Sequence, residues 1–416
     1  MKKLLTSIIL IFLMVTLIAC NPVNNADLIS YSEIDLSKIS DNIVEQMNYT
    51  EKFVPNDNSA FYDFTADLIS SINEDKNSLV SSLSIYLALA MIINGAKGDT
   101  LDEFIATLGL SQNQINAECN YIINSLKTKN DSIFKVANSI WINSNSSFVP
   151  NNDFLDFNAL YYDAEIYKDD FTGSPIIDNI NSWVNINTNG MIKKMVEEID
   201  SSTIMLLFNT LYFECQWQFA NYEYNIYDFT NSGGEVKSID FFQDKTNIYY
   251  HSDSAKAVKI NLKDNYYFLG ILPNDNDIDN YLESFDGNEL YQLINNSSSQ
   301  YDVLWRLPKF SYDYETSIKG ALLSMGIIKA FDEDLANFTG MGTANGNIFV
   351  QDIIHKTRIE LDKYGIKAAA VTEVIMEATS ISPKPQFNIY FDRPFVYVIM
   401  DSVTNTPLFT GVVKYL

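Results

Sequence analysis

Histidine, cysteine and positive charge are all scarce in this chain of 416 residues. Only His251 and His355 are available to a histidine-dependent catalytic site, and the sequence contains no G-x-S-x-G, H-E-x-x-H, Walker or G-x-G-x-x-G motif. The 28 basic residues stand against 53 acidic ones, and the formal net charge of −25 disfavours nucleic acid as a partner. Because scattered carboxylates are typical of a solvated surface, the sequence predicts neither an enzyme nor a bound cofactor or metal.

The three cysteines lie in different contexts. Cys20 ends the stretch MKKLLTSIILIFLMVTLIAC, whose two lysines and apolar run are typical of a secretory signal. The ending LIAC resembles the lipobox of bacterial lipoproteins, which are cleaved before a cysteine that carries lipid. We therefore expect a signal peptide at residues 1–19 and an extracytoplasmic protein anchored through Cys20 to the bacterial cell membrane or surface. Cys119 and Cys215 are interpreted as two buried thiols.

Two regions follow the signal. Residues 20–54 are polar and rich in asparagine, which is typical of a tether. Residues 55–416 contain no linker, charge block or internal repeat, so we expect one continuous domain. Helical patterns come mostly first and strand patterns mostly later, which indicates an α+β fold around a large sheet.

One stretch, SLSIYLALAMIINGAKG, is apolar on nearly every side and too short to cross a bilayer, so it predicts a buried helix. We expect Ser82 or Ser84 to cap its start and Gly95 to end it. Strands are predicted in the β-branched and aromatic runs SSTIMLLFNTLYFECQWQF and NYYFLGILP, and in the C-terminal tail, where two strands are joined at TNTP.

Many short motifs in a fixed order give this chain a family resemblance from about residue 55 to residue 416. The stretches that carry it are NSLVSSLSIYLALAMIINGAKGDT (with Asn77, Ser81, Ser84, Gly95 and Thr100), INSWVNINTNGMI (Trp183, Gly190), FNTLYFECQW (Asn209, Trp217), LPKF (Pro308, Phe310), FDRPFVYVI and LFTG. In these motifs the sequence resembles a serpin. The usual proline after the first signature serine is replaced by Ser82, and the usual glycine before the tryptophan motif by Cys215.

The resemblance implies an α+β serpin fold with about nine helices around three β-sheets and an exposed reactive-centre loop at about residues 365–390. In this family the loop is bait for a serine protease, and once cut it inserts into the main sheet as a new central strand. We therefore expect an irreversible inhibitor, a monomer that traps the protease as a covalent acyl complex. The alternative is a non-inhibitory serpin that acts as a surface binding protein.

The start of the expected loop has the pattern of a strand with one buried face. From Gly365, one alternating set of side chains is free of charge and proline, and the other set carries all the charge. The uncharged set is Ile366, Ala368, Ala370, Thr372, Val374, Met376 and Ala378, and the other is Lys367, Ala369, Val371, Glu373, Ile375, Glu377 and Thr379. Residues 365–372 form the expected hinge, which favours an inhibitor, and Ile366, where the family usually has Thr or Ser, is expected to slow insertion.

By the family's spacing, the reactive bond joins Thr379 to Ser380. The loop is longer than expected, so Ala378 and Ser380 remain open as specificity residues. All three side chains are small, and pockets that accept small side chains belong to elastase-like and subtilisin-like proteases. We therefore expect a target of that kind.

The resemblance also places two polar clusters around the main sheet. Ser81, Ser84, Asn209 and His355 match the cluster that the family uses as a shutter beneath the sheet, and His355 is interpreted as a buried, hydrogen-bonded histidine. Trp217, Lys309 and Lys363 belong to the top of the sheet, termed the breach. Because the family usually has Glu where this chain has Lys363, we expect two cations to face each other there and to loosen the sheet.

Overall fold

The computed structural model describes residues 27–29 (backbone), 39–55, 58–127, 132–200, 202–219, 222–366 and 385–416. The ten helices among these residues are α1 (Asp41–Thr50), α2 (Ser59–Ser71), α3 (Ser82–Ile93), α4 (Gly98–Leu108), α5 (Gln112–Leu126), α6 (Asn152–Tyr162), α7 (Ser174–Asn187), α8 (Ile278–Glu283), α9 (Gly287–Asn295) and α10 (Lys319–Ser324). Two single-turn 3₁₀ helices lie at Lys263–Asn265 and Lys329–Phe331.

Most of the strands belong to three large sheets. In chain order the strands are β1 (Asp27–Ile29), β2 (Ser78–Val80), β3 (Ile133–Asn143), β4 (Val149–Pro150), β5 (Ala164–Asp169), β6 (Met205–Gln216), β7 (Glu223–Thr230), β8 (Val236–Thr246), β9 (Tyr249–His251), β10 (Ala255–Asn261), β11 (Tyr266–Pro273), β12 (Ser297–Ser298), β13 (Asp302–Pro308), β14 (Phe310–Ser317), β15 (Gly342–Thr343), β16 (Ile354–Asp362), β17 (Gly365–Ile366), β18 (Gln386–Tyr390), β19 (Phe395–Asp401) and β20 (Thr406–Val413).

The main sheet has the order β1-β5-β3-β6-β17-β16-β14, the second sheet β12-β9-β10-β11-β19-β20-β2 and the third sheet β18-β13-β8-β7. A further pair, β15 and β4, stands apart from them. Within the main sheet only β3 and β5 run parallel, and the other pairs are antiparallel. Among the described residues, β17 is the one element between β6 and β16, so it joins the two halves of the main sheet.

Both faces of the main sheet are covered by apolar residues. Alternate residues of β3 point to opposite faces, so Ile140 and Ile142 join the large core shared with the second sheet, whereas Trp141 packs with Trp183 of α7. In the second sheet every residue of β11, β19 and β20 is buried, as expected for strands covered on both sides. The main sheet is therefore held between the second sheet and α7.

Helix α3 lies behind the main sheet and is buried almost throughout, as the sequence predicts. Its start differs from the prediction, because the hydroxyl of Ser81, rather than that of Ser82 or Ser84, accepts the backbone N–H of Ser84 at 3.1 Å. The helix ends at Ile93, two residues before Gly95. A Cβ at Gly95 would lie 2.0 Å from Cγ of Met341, so close packing, and not a left-handed helix end, requires glycine here.

Part of the predicted tether is folded onto the domain. Strand β1 pairs with β5 at the edge of the main sheet, and α1 packs on α5, where Nε2 of Gln46 donates to the carbonyl of Asn113 at 3.0 Å. Cys119 and Cys215 are both buried and form no disulfide, which confirms their interpretation as thiols. Residues 1–20, with the predicted signal and lipid site, lie outside the described residues. Within those residues, no helix has the length and hydropathy needed to span a membrane.

Candidate functional site

At the top of the main sheet, Gly365 and Ile366 lie between β6 and β16. Ile366 pairs with Cys215 of β6 on one side and with Leu361 of β16 on the other, and its side chain is buried. Gly365 has a φ of +146°, and a Cβ there would lie 2.3 Å from the carbonyl oxygen of Cys215. Glycine is therefore the residue that lets the chain turn into the sheet at this point.

Below Ile366 a narrow cleft lies between the two strands, with a volume of about 20 Å³. In the part of the chain that the structure describes, no backbone pairing joins β6 directly to β16. The cleft is lined by Leu211 and Phe213 of β6, by Thr357, Arg358 and Ile359 of β16, by Leu79, Ile399 and Phe409 of the second sheet, by Thr188, Met191 and Ile192 after α7, and by Ile366. The lining is mainly apolar, so the cleft suits a strand with small or apolar side chains.

At the top of the cleft, Trp217 holds the turn that leads into β17. Its indole N–H donates to the carbonyl of Asp362 at 2.8 Å, and its backbone N–H donates to the carbonyl of Tyr364 at 3.1 Å. The carboxylate of Asp362 closes the same turn by accepting the backbone N–H of Tyr364 at 2.8 Å. Trp217 is itself buried among aromatic rings of the second and third sheets. The breach is thus a rigid corner with defined hydrogen bonds.

Lys363 has a partner at the breach that the sequence analysis missed. Its ammonium lies 5.4 Å from the ring centroid of Tyr224, on the edge strand of the third sheet, and 5.0 Å from that of Tyr364. Lys309 is held differently, because its backbone N–H donates to the carbonyl of Asp240 at 2.8 Å. Tyr224 could not be assigned to this corner from sequence spacing, because its position depends on the order of strands in another sheet.

Beneath the cleft, the start of α3 bridges its two sides. The backbone N–H of Ser81 donates to Nε2 of His355 on β16 at 3.0 Å, and the hydroxyl of Ser84 donates to the side-chain oxygen of Asn209 on β6. The hydroxyl of Ser81 donates to the carbonyl of Leu408 at 2.9 Å. The structure thus brings together the four residues that the resemblance assigns to the shutter, and α3 links the two strands between which the cleft lies.

His355 acts as a neutral hydrogen-bond acceptor in this cluster. Burial lowers the pKa of His355 from 6.5 to about 4, so the ring is uncharged near neutral pH. Since Nε2 accepts a hydrogen bond, the ring proton resides on Nδ1. Protonation of Nε2 would set two N–H groups against each other at Ser81. The shutter is therefore built around an uncharged ring.

Two further polar residues complete the cluster and were not singled out from the sequence. The side-chain amide of Asn209 donates to Oδ1 of Asn138 on β3 at 2.6 Å, and the hydroxyl of Thr357 donates to the carbonyl of Leu79 at 2.7 Å. The only available signal for Asn138 was an amide in the middle of the strand-like run FKVANSIWIN. Of the predicted hinge, Gly365 and Ile366 occupy the sheet, whereas Lys367 to Thr372 and the predicted reactive bond Thr379–Ser380 lie outside the described residues.

A domain whose main sheet has a narrow cleft between two strands, with a glycine turn at its mouth and a polar cluster beneath it, defines a narrow class of protein. A family model described as "Serpin (serine protease inhibitor)" matches residues 59–415. A serpin-like protein of Methanosarcina acetivorans is 30% identical over 364 residues, which cover 84% of each chain. Human neuroserpin is 29% identical over 361 residues, which cover 82% of this chain and 87% of the relative.

Solved structures give the same result. The native state of the thermophilic serpin tengpin superposes with a TM-score of 0.81 at 34% identity, over 88% of this chain and 96% of that one. Its latent state gives a TM-score of 0.75 at 32% identity, over 87% of this chain and 99% of that one. The chain therefore belongs to the serpin family, whose members are generally protease inhibitors that act on serine proteases.

The expected fold is thereby confirmed. Of the ten helices in the described residues, α1 precedes the matched region 59–415 and the other nine lie within it, in agreement with the expected number. The three large sheets also agree with the expectation.

Proposed function

We propose that this protein is an irreversible suicide-substrate inhibitor of serine proteases that traps the acyl-enzyme by inserting its cleaved loop into the main sheet. The observation that carries this proposal is the position of β17. Two residues of the predicted hinge already pair with β6 and β16, and the narrow cleft between these strands lies directly below them. Insertion would therefore continue a pairing that has begun.

The register of β17 supports the proposal. If the pairing of Ile366 continued downwards, every second residue of the loop would lie between one side chain of β6 and one of β16. These pairs would be Phe213 and Ile359 for Ala368, Leu211 and Thr357 for Ala370, and Asn209 and His355 for Thr372. Ala368 and Ala370 would thus face the apolar lining, and Thr372 would reach the shutter, where its hydroxyl could join the polar cluster.

The same register also suits the charged face of the loop. Lys367 would lie between Glu214 of β6 and Glu360 of β16, so the one basic residue of the hinge would meet two carboxylates. Each inserted residue would also add backbone hydrogen bonds to both neighbouring strands, and a bond of this kind contributes about 1 kcal/mol net. Insertion is then driven by ladder bonds, apolar burial and charge complementarity, in competition with hydrolysis of the acyl-enzyme.

The proposed target is an elastase-like or subtilisin-like serine protease, cut at Thr379–Ser380, with Ala378 and Ser380 as open alternatives for the specificity residue. The small side chains at these three positions support this choice. We further propose that the protein acts outside the cytoplasm, held to the bacterial cell membrane or surface by lipid on Cys20. The sequence MKKLLTSIILIFLMVTLIAC supports this placement.

The proposal is tested by incubating the purified protein with pancreatic elastase, subtilisin and trypsin. A covalent complex that survives denaturing electrophoresis is expected with one of the first two enzymes. Cleavage near Thr379 by both enzymes, with no stable complex, would contradict the proposal and favour the non-inhibitory alternative. Mass spectrometry of the released C-terminal peptide identifies the bond that is cut.

Two hinge variants show whether insertion is the step that matters. Ala370→Arg is expected to abolish the complex and leave cleavage intact, because the register would bury an unpaired guanidinium in the apolar cleft. Each ~1.4 kcal/mol added to the barrier slows insertion about tenfold relative to deacylation. Lys367→Arg is the matched control. It places an arginine at a position that the register sets beside Glu214 and Glu360, so the complex should form as in the wild type. Equal inhibition by both variants would contradict loop insertion.

A further inference from the structure

A chain of hydrogen bonds leads from the shutter to a helix that does not touch the cleft. The amide of Asn209 donates to Asn138 at 2.6 Å, and the amide of Asn138 donates to the carbonyl of Tyr162, the last residue of α6, at 2.6 Å. The hydroxyl of Tyr162 then donates to the side-chain oxygen of Asn116 on α5. Three of these four residues are buried and Asn209 is half-buried, so this polar relay runs through the interior.

The polar relay returns to α3 at its other end. The amide of Asn116 donates to Oδ1 of Asn94, the residue that follows the last turn of α3, at 2.9 Å. Since Ser84 near the start of α3 is bonded to Asn209, the hydrogen bonds form a closed circuit around this helix. A displacement of α5 would therefore be felt at the side chains that hold the shutter.

Glu118 lies on α5, two residues beyond Asn116, and is buried with no basic side chain of the described residues paired to it. Its side chain is 8% exposed, and its Oε2 atom has no hydrogen-bond partner among the described residues. The hydroxyl of Tyr86 on α3, which lies close enough to interact with this carboxyl, has no partner in the described chain either. An ionised Glu118 would therefore be an uncompensated charge inside the domain.

The described titratable groups that face Glu118 stay neutral over the physiological range. Burial, and then the carboxyl of Glu118, raise the pKa of Tyr86 on α3 and of Cys119 on α5, and burial raises the pKa of Tyr162 on α6. Helix α1 contacts α5 through the uncharged side chain of Gln46, which donates to the carbonyl of Asn113. Burial raises the pKa of Glu118 itself from 4.5 to about 7. Of these residues, only Glu118 changes charge near neutral pH.

We propose that the protonation state of Glu118 controls the opening of the main sheet, so that this residue acts as a pH-dependent switch. When protonated, it lets α5 pack against α3 and α6 and keeps the polar relay closed. When it loses its proton, the buried charge is relieved by an outward displacement of α5, which strains Tyr162 and Asn138 and weakens the shutter. This inference rests on the proposed function, because opening of the cleft is the step that this switch controls.

The test measures how fast the full protein takes up a labelled synthetic peptide with the sequence of residues 366–376, between pH 5.5 and 8.5. The rate is expected to rise with a midpoint near the Glu118 pKa of about 7 and by about fivefold, the low end of common allosteric couplings. In Glu118→Gln the rate should stay at the low-pH value throughout. Glu45→Gln, an exposed carboxyl on α1, is the matched control and should keep the wild-type profile.

Tyr162→Phe tests whether Glu118 acts on the sheet through the polar relay or only affects the stability of its own surroundings. Removal of the hydroxyl breaks the bond to Asn116 and leaves the ring, so the melting temperature should still depend on pH through Glu118 while peptide uptake no longer does. A flat wild-type uptake profile, or an unchanged midpoint in Glu118→Gln, would overturn the inference. Protease cleavage without a stable complex, with pH-dependent uptake intact, would overturn the proposed function alone.

Discussion

The two ends of the cleft between β6 and β16 are closed in different ways. The upper end is filled by β17 and fixed by Trp217, whose two hydrogen bonds hold the turn before the hinge. The lower end holds no inserted strand in the described residues and is bridged by hydrogen bonds from Ser81 and Ser84 of α3 to the two strands. A packed corner is costly to remove, whereas a polar bridge can exchange partners. This difference indicates that insertion starts at a fixed point and is limited by the shutter.

The largest expected effect comes from breaking the upper end. Trp217→Ala removes a buried indole and its bond to Asp362, and a truncation of this kind costs about 3–5 kcal/mol of unfolding free energy. Urea unfolding of the uncleaved protein measures it.

Trp217→Phe retains most of the aromatic packing and loses only the indole N–H, so a loss of about 1 kcal/mol is expected from the hydrogen bond. An equal loss in both variants would show that the hydrogen bond, and not the packing, fixes this corner. A loss below 1 kcal/mol in Trp217→Ala would contradict the idea of a rigid upper end.

The next effect concerns the lower end and depends on pH. The pKa of His355 is lower in the folded protein, about 4, than the ordinary value of 6.5. Folding therefore favours the neutral ring, and this contribution to stability is complete above about pH 6.5 and is lost as the pH falls through about 4. The difference of 2.5 pH units, from 6.5 to 4, corresponds to about 3 kcal/mol. The melting temperature should fall steeply in that interval.

His355→Gln keeps a hydrogen-bonding side chain at the shutter and removes the titration, so its melting temperature should change less between pH 6.5 and 4. His251→Gln, on β9 next to the edge strand of the second sheet, is the matched control and should retain the wild-type slope. If His355→Gln has the same slope as the wild type, protonation of this ring does not weaken the shutter.

The sequence was informative where a motif fixed a residue's role, and silent where a role depends on the order of strands or the packing of helices. The resemblance assigned Ser84, Asn209 and His355 to one cluster although they are far apart in the chain. It gave no information on Asn138, because an asparagine inside a strand has no pattern of its own.

Glu118 illustrates the second kind of residue. In the stretch QNQINAECNYIINSL it is a charged residue in a segment rich in Asn and Gln, and by residue type it resembles a surface residue. It is buried because α3 and α6 pack against α5, and the sequence of α5 alone does not specify those contacts. Similarly, Ser82 and Ser84 were plausible helix caps by residue type, but the backbone turns into the helix one residue earlier, at Ser81.

The smallest expected effect would sharpen the description of the upper end. If Lys309 and Lys363 repel each other as expected from the sequence, Lys363→Glu should raise the melting temperature, because it removes one of the two cations. The contacts of Lys363 with the rings of Tyr224 and Tyr364 predict the opposite, a loss of about 0.5–1 kcal/mol at a partly exposed site. Burial, and then a hydrogen bond to Asp240, raise the pKa of Tyr224, so a new carboxylate would also approach an existing one.

Lys363→Gln distinguishes the two explanations without adding a negative charge. Repulsion from Lys309 predicts a higher melting temperature for this variant, and the ring contacts predict a slightly lower one. A double-mutant cycle with Tyr224→Leu isolates the contact between the two sheets, because the ring interaction requires a coupling energy between these residues. Zero coupling, together with a higher melting temperature in Lys363→Gln, would support the repulsion hypothesis. The breach would then be held by Trp217 and not by a link to the third sheet.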